Sequence, residues 1–215
     1  MTWLPIFNAF VALSFLASSF LWSMEGLKLF LALTTLASLY LWAETESGVK
    51  LHFVDSFWLF ILSEVMAFGS LLTSCLWFQE GKMINLSEYD EIPLLGCFLL
   101  IGSSITVTAY HHVLHLAKGT YHLVGTIILG IGFVMLQMVE FSECDSGLIS
   151  SVYHASCFCT VGLHFSHVVI GLSLLIVLLI KGAEVIGEYY TTLFVWYWHF
   201  VDYVWLFVYT IVYLC

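Results

Sequence analysis

The residues of this chain with most chemistry to offer are ionisable groups set inside apolar runs. Glu64 stands in Leu59-Phe60-Ile61-Leu62-Ser63-Glu64-Val65-Met66, with no cation within a helical turn. Apolar surroundings penalise the charged form of an acid, so a neutral carboxylic acid is the expected resting state. Such a group could carry a proton, anchor a lipid headgroup, or hydrogen-bond to a neighbouring helix. His164 and His167 are three residues apart, as are His199 and Asp202, and Gln137 and Glu140. That spacing places both members on one helix face. Asp202 is then expected to accept a hydrogen bond from His199, and the three pairs to form an interior polar network. Separately satisfied residues are the alternative. His111 and His115 have the i, i+4 spacing of a helical metal site, with His112 alongside, but they end an apolar run, where interfacial histidines are common. The cysteines at 75, 97, 144, 157, 159 and 215 form no C-x-x-C pair and read as small hydrophobes. Cys157 and Cys159, two apart, do not share a helix face. The histidines form no obvious bis-imidazole haem set. The expectation is a chain with no metal and no catalytic residue of its own.

Composition dictates the elements that hold these groups. Of 215 residues, 61% are hydrophobic and only 9% charged, with a mean hydropathy of +1.01. A water-soluble domain of this size cannot cover its surface with so few charges. Seven apolar stretches run over residues 4–22, 27–43, 53–78, 92–116, 121–141, 150–180 and 189–214. Each is near or above the ~17–25 residues a spanning helix needs. In lipid every backbone polar group needs an internal partner, so long runs without barrel-like alternation must be helices. Pro5 and Pro93, the only prolines, open apolar stretches, where a missing N–H breaks no helical bond. The expected fold is all-α: one polytopic membrane domain, 1–215, of seven transmembrane helices, with a tight hairpin over 1–43 and a five-helix bundle over 53–215. No internal repeat or low-complexity tract interrupts it.

Charge adds orientation. The net charge is −10, the five cations are Lys28, Lys50, Lys82, Lys118 and Lys181, and arginine is absent. An N-terminus on the inner side puts Lys50, Lys118 and Lys181 inside and the acid-rich loops 80–91 and 142–147 outside, in mild accord with the positive-inside rule. The lack of arginine argues against an Arg-rich presequence, and the first apolar stretch has no basic n-region. The expected origin is a bacterial gene or one expressed inside the organelle whose membrane the chain enters. No nucleic-acid partner is expected. Trp196, Tyr197 and Trp198 are expected at the opening of the last helix, as an interfacial belt. Gly125, Gly130, Gly162 and Gly171 are small residues suited to close helix contact.

The run Trp196-Tyr197-Trp198-His199-Phe200-Val201-Asp202-Tyr203-Val204-Trp205-Leu206-Phe207 closely resembles the last helix of cytochrome c oxidase subunit III, Y-W-H-F-V-D-x-V-W-L-F. Four further resemblances follow that family's order: Ser63-Glu64-Val65; Glu91-Ile92-Pro93-Leu94-Leu95 with Ser104-Ile105-Thr106 and His111-His112; Gln137, Glu140 and Phe141; and Gly162-Leu163-His164-Phe165-Ser166-His167-Val168-Val169-Ile170-Gly171. The resemblance covers about residues 53–215. Phe165 stands where the family has glycine, and Phe141 replaces a tyrosine. Residues 107–110 replace a shorter segment, and the family's arginines before the third helix are missing, with Lys50 and His52 as possible substitutes.

What the resemblance implies is a non-catalytic core subunit of respiratory complex IV. It would pack on subunit I beside subunit II and further small subunits, hold phospholipid, and support proton uptake and stability during oxygen reduction. Haem and copper would sit in the partner subunits, and Glu64, Gln137, Glu140, His164, His167, Trp198, His199 and Asp202 would act as polar anchors. The implied location is the mitochondrial inner membrane, with a bacterial plasma membrane as alternative. The corresponding subunit of a quinol oxidase or related haem-copper complex, a stand-alone proton-coupled transporter and a membrane haem protein are the competing readings.

Overall fold

The structure, a computed structural model, describes residues 4–46, 54–79, 89–114, 119–144 and 150–215. Among these residues there are helices and no strand: α1 (Leu4–Phe20), α2 (Met24–Glu46), α3 (Val54–Trp77), α4 (Ile92–His112), α5 (Gly119–Glu143), α6 (Val152–Lys181), α7 (Ala183–Ile186) and α8 (Glu188–Val208), closed by a π-helical turn over Tyr209–Leu214. Local chemistry sets several boundaries. Pro93 lies in the first turn of α4, where its missing N–H costs nothing. Ser151 caps α6 by accepting from the His154 N–H at 3.2 Å. Gly182 and Gly187, with φ of 77° and 89°, take the left-handed conformation that glycine alone adopts without penalty. They cut out the four-residue α7, which the hydropathy pattern did not announce.

Five of these helices, α2 to α6, are long and apolar enough to cross a membrane. Of the seven expected spans, length and hydropathy support these five. The apolar helix α1 has only 17 residues. The 21-residue α8 owes its apolar surface to tryptophan and tyrosine, whose polar edges lower its hydropathy.

The helices form two compact units, Met1–His52 and Phe53–Cys215. In the first, α1 packs on α2 through a turn in which Trp22 has φ 48°. Gly26 lies so close to Ser18 that a Cβ there would collide with it, and Phe15 and Phe30 meet at 4.9 Å. Large apolar side chains all round this pair, among them Phe20, Leu39 and Trp42, stay exposed, as a hydrocarbon solvent permits and water does not. Lys28 and Glu25 make an exposed i, i+3 ion pair at 2.7 Å.

In the second unit α4 and α5 form a hairpin, α6 packs on α3, α5 and α8, and α8 packs on α3, α4 and α6. The buried core centres on Trp198 and Trp205 of α8. Two of the four glycines singled out by sequence serve this contact. A Cβ on Gly130 would come within 2.9 Å, and one on Gly171 within 3.0 Å, of the Trp198 ring, whereas one on Gly162 meets nothing within 4 Å. Replacing Gly130 by Ala should therefore destabilise the chain by about 1–3 kcal/mol. Gly162→Ala should stay within about 0.5 kcal/mol of the parent. Thermal unfolding of both variants in detergent measures the difference.

Candidate functional site

The buried polar groups of the five-helix unit gather on three seams. On the first, α3 meets α6. Glu64 projects from α3, its side chain 23% exposed, and its Oε2 lies 2.9 Å from Nε2 of His167, whose side chain is 9% exposed. The other ring nitrogen, Nδ1, is 2.8 Å from the Leu163 carbonyl oxygen, which can only accept. Nδ1 therefore carries a hydrogen, and the Glu64–His167 contact holds one shared hydrogen between acid and imidazole. Either position of that hydrogen leaves the pair uncharged overall, which removes the cost of a lone ion in hydrocarbon. Phe68 packs edge-on against the imidazole at 5.2 Å, and Tyr197 stacks at 6.4 Å.

The second seam joins α4 and α6 to α8. The expected bond between His199 and Asp202 is not formed. His199 turns to α4, with Nδ1 2.7 Å from Ser104 Oγ and Nε2 3.3 Å from Thr108 Oγ1. Thr108 spends its own hydrogen on the Ser104 carbonyl at 2.8 Å. His199 Nε2–H then donates to Thr108, and Ser104 O–H donates to Nδ1. Asp202 is 3% exposed beside the Ser104 hydroxyl, and its Oδ1 has no hydrogen-bond partner. Three residues on a helix span 300°, which puts both side chains on one face without obliging them to bond to each other. His164 likewise does not bond to His167: it is fully buried and its Nε2–H donates to the Val201 carbonyl at 3.1 Å. Its ring lies 4.9 Å from Trp205.

Trp198 and Tyr197 depart furthest from expectation. They are 0% and 5% exposed, and Trp198 Nε1 donates to Ser103 Oγ at 2.9 Å. They stand ten and nine residues into α8, which begins earlier, at Glu188, and so lie in the core and not at its opening. Only Trp196 of the three is exposed, at 37%.

On the third seam, α5 meets the end of the chain. Gln137 and Glu140 pair as their spacing suggests, with Gln137 Nε2 donating to Glu140 Oε2 at 2.6 Å. Tyr213, in the π-helical turn, donates its hydroxyl to Glu140 Oε1 at 2.6 Å. Sequence reasoning missed Tyr213, Ser103 and Thr108 as partners. The adjacent Ser103 and Ser104 inside an apolar run were a usable signal; Tyr213 offered none. Of the proposed metal pair, His111 Nε2 meets Thr192 Oγ1 at 3.2 Å, and His115 lies outside the described residues. Among the described residues no three His, Cys, Asp or Glu side chains are placed to hold a metal ion.

With this arrangement in view, comparison with known proteins is decisive. The sequence matches the family described as cytochrome c oxidase subunit III over residues 2–215. The chain belongs to that family. Among its curated relatives, cytochrome c oxidase subunit 3 of Drosophila melanogaster is 35% identical over 178 residues, covering 76% of this chain and 63% of the relative. The protein of the same name from Heterololigo bleekeri is 39% identical over 137 residues, covering 60% of this chain and 53% of the relative. That of Struthio camelus is 35% identical over 171 residues, 75% of this chain and 63% of the relative. The chain thus spans less than two thirds of the length of these relatives. As a subunit III it differs from the family pattern at Phe141 and Phe165, and the two departures meet. Their rings pack edge-on at 6.0 Å, while Phe141 also stacks on Phe158 at 6.2 Å. Lys50 and His52, expected as possible substitutes for the absent arginines, lie outside the described residues.

Two predictions follow from these seams. An apolar carbodiimide should label Glu64 in intact membranes, because that reagent needs an acid hydrogen and access through hydrocarbon. Mass spectrometry of a Glu64→Gln chain should show the label gone; undiminished labelling would refute the assignment. Removing the buried hydroxyl by Tyr213→Phe should destabilise the chain by about 1–3 kcal/mol. Tyr209→Phe, which loses only an exposed bond to the Tyr89 carbonyl, should shift stability by about 0.5 kcal/mol or less. Denaturant titration of the two proteins compares them.

Proposed function

We propose that this chain is the non-catalytic core subunit III of mitochondrial complex IV, a cytochrome c oxidase, in the inner membrane. It packs on subunit I, beside subunit II and smaller subunits, and supports proton uptake and durability while the complex reduces oxygen. The observation that carries this reading is the family match along residues 2–215. The name of the animal relatives, cytochrome c oxidase subunit 3, supplies the complex. Haem and copper belong to the partner subunits. In this reading α1 and α8 cross the bilayer with the other five long helices, giving seven spans. Support comes from α8, which packs on three of the span helices at once, so it shares their depth.

The contribution of this chain to proton uptake rests on its own groups. Glu64 and His167 hold a hydrogen inside the bilayer without net charge, which suits a site that exchanges protons slowly with a neighbouring subunit. Phospholipid has a separate surface: α3 and α8 enclose an open groove of about 610 Å³ lined by Trp58, Ile61, Phe68, Phe200, Tyr203 and Phe207. Its apolar walls suit an acyl chain.

Purification of the chain from its native membranes in mild detergent tests the proposal. Haem-copper subunits I and II should co-purify, with a copper site in subunit II and oxidation of reduced cytochrome c by the preparation. Recovery of the chain alone, or with a complex that oxidises quinol and not cytochrome c, would overturn it.

A further inference from the structure

The cysteines of this chain read as packing residues in the sequence, and Cys97 and Cys144 remain so. Cys75 of α3 and Cys157 of α6 do not. They are 1% and 0% exposed, and their sulfurs lie 3.8 Å apart across the helix–helix seam. The hydrogens around them are ordered by their partners. Thr160 donates its hydroxyl hydrogen to the Ser156 carbonyl at 2.8 Å, so in its 3.5 Å contact with Cys75 the thiol must donate to the Thr160 oxygen. The Cys157 S–H points at the Cys75 sulfur. The hydroxyl of Tyr153, buried without a hydrogen-bond partner, lies beside Cys157. The pair occupies the same seam as Glu64 and His167. Eleven residues of α3 and ten of α6 separate the two contacts, so the antiparallel helices are tied at two levels ~16 Å apart.

We propose that Cys75 and Cys157 form an oxidisable dithiol that peroxide closes into a disulfide joining α3 to α6. A disulfide needs its sulfurs about 2.05 Å apart. Rotation of two unbranched side chains already in contact, with a small adjustment of the helices, supplies the approach. Cys75 reacts first, because loss of its hydrogen leaves a thiolate that keeps the S–H bond from Cys157. The Cys75 sulfur attacks one peroxide oxygen, the O–O bond breaks, and the departing hydroxide takes up the thiol proton as water, leaving a sulfenic acid. The Cys157 sulfur then attacks the Cys75 sulfur, the S–O bond breaks, and hydroxide leaves with the second thiol proton as a second water. Two thiols are oxidised by one electron each and one hydrogen peroxide is reduced by two. Cys159, exposed and two residues along, has no such partner and marks the accessibility of the same helix.

Hydrogen peroxide applied to native membranes carrying the full chain tests this. After denaturation, blocking with N-ethylmaleimide and digestion, mass spectrometry should find the Cys75 and Cys157 peptides joined, two hydrogens lighter than their sum and separated by dithiothreitol. Maleimide labelling should be lost at both positions together, and a Cys75→Ser chain should form no link at Cys157. If Cys159 is oxidised while Cys75 and Cys157 both stay open to maleimide, or if either links to a different cysteine, the proposal fails.

Discussion

A polar side chain inside hydrocarbon has no water to fall back on, so it must find a partner on its own helix or on a neighbouring one. The five-helix unit is organised by that requirement. Glu64 reaches His167, Ser104 and Thr108 hold His199, Ser103 receives Trp198, and Gln137 and Tyr213 converge on Glu140. Each contact joins segments far apart in sequence or caps such a join. Apolar packing alone does not distinguish a helix neighbour from lipid, because both are equally apolar. Directional bonds do. They choose which helices touch and at what depth.

The helix α8 occupies the place where these choices meet. It contributes Trp198 and Trp205 to the core and the Val201 carbonyl to His164. Gly130 and Gly171 clear the space that the Trp198 ring fills, and Ser103 pins its edge. A large ring held by one hydrogen bond and two glycines has little freedom, so α8 serves as a fixed surface for α3, α4 and α6. The acid–imidazole contact then stands on a rigid seam, flanked by Phe68 and Tyr197. A shared hydrogen there needs no counter-ion and no water, which reconciles an ionisable pair with a hydrocarbon setting.

Much of this was legible before any coordinates. The excess of apolar residues, the scarcity of charge and the runs of about helix-spanning length determined an all-helical membrane chain, because lipid permits no other response to such a pattern. The motifs around Glu64, His164, His167 and the last helix marked the family, which the match over residues 2–215 established. Spacing also put Gln137 and Glu140 on one face, where they bond. The same spacing did not bond His199 to Asp202 or His164 to His167, because rise and twist fix a shared face and not the choice of partner. Tertiary structure decided the rest. Whether Asp202 or Ser104 serves His199, whether Trp198 lies at an interface or in the core, and that Cys75 faces Cys157 all depend on how separate helices rotate and slide against one another. Helical periodicity sets the geometry within each element; the relative rotation and depth of two helices come only from packing them.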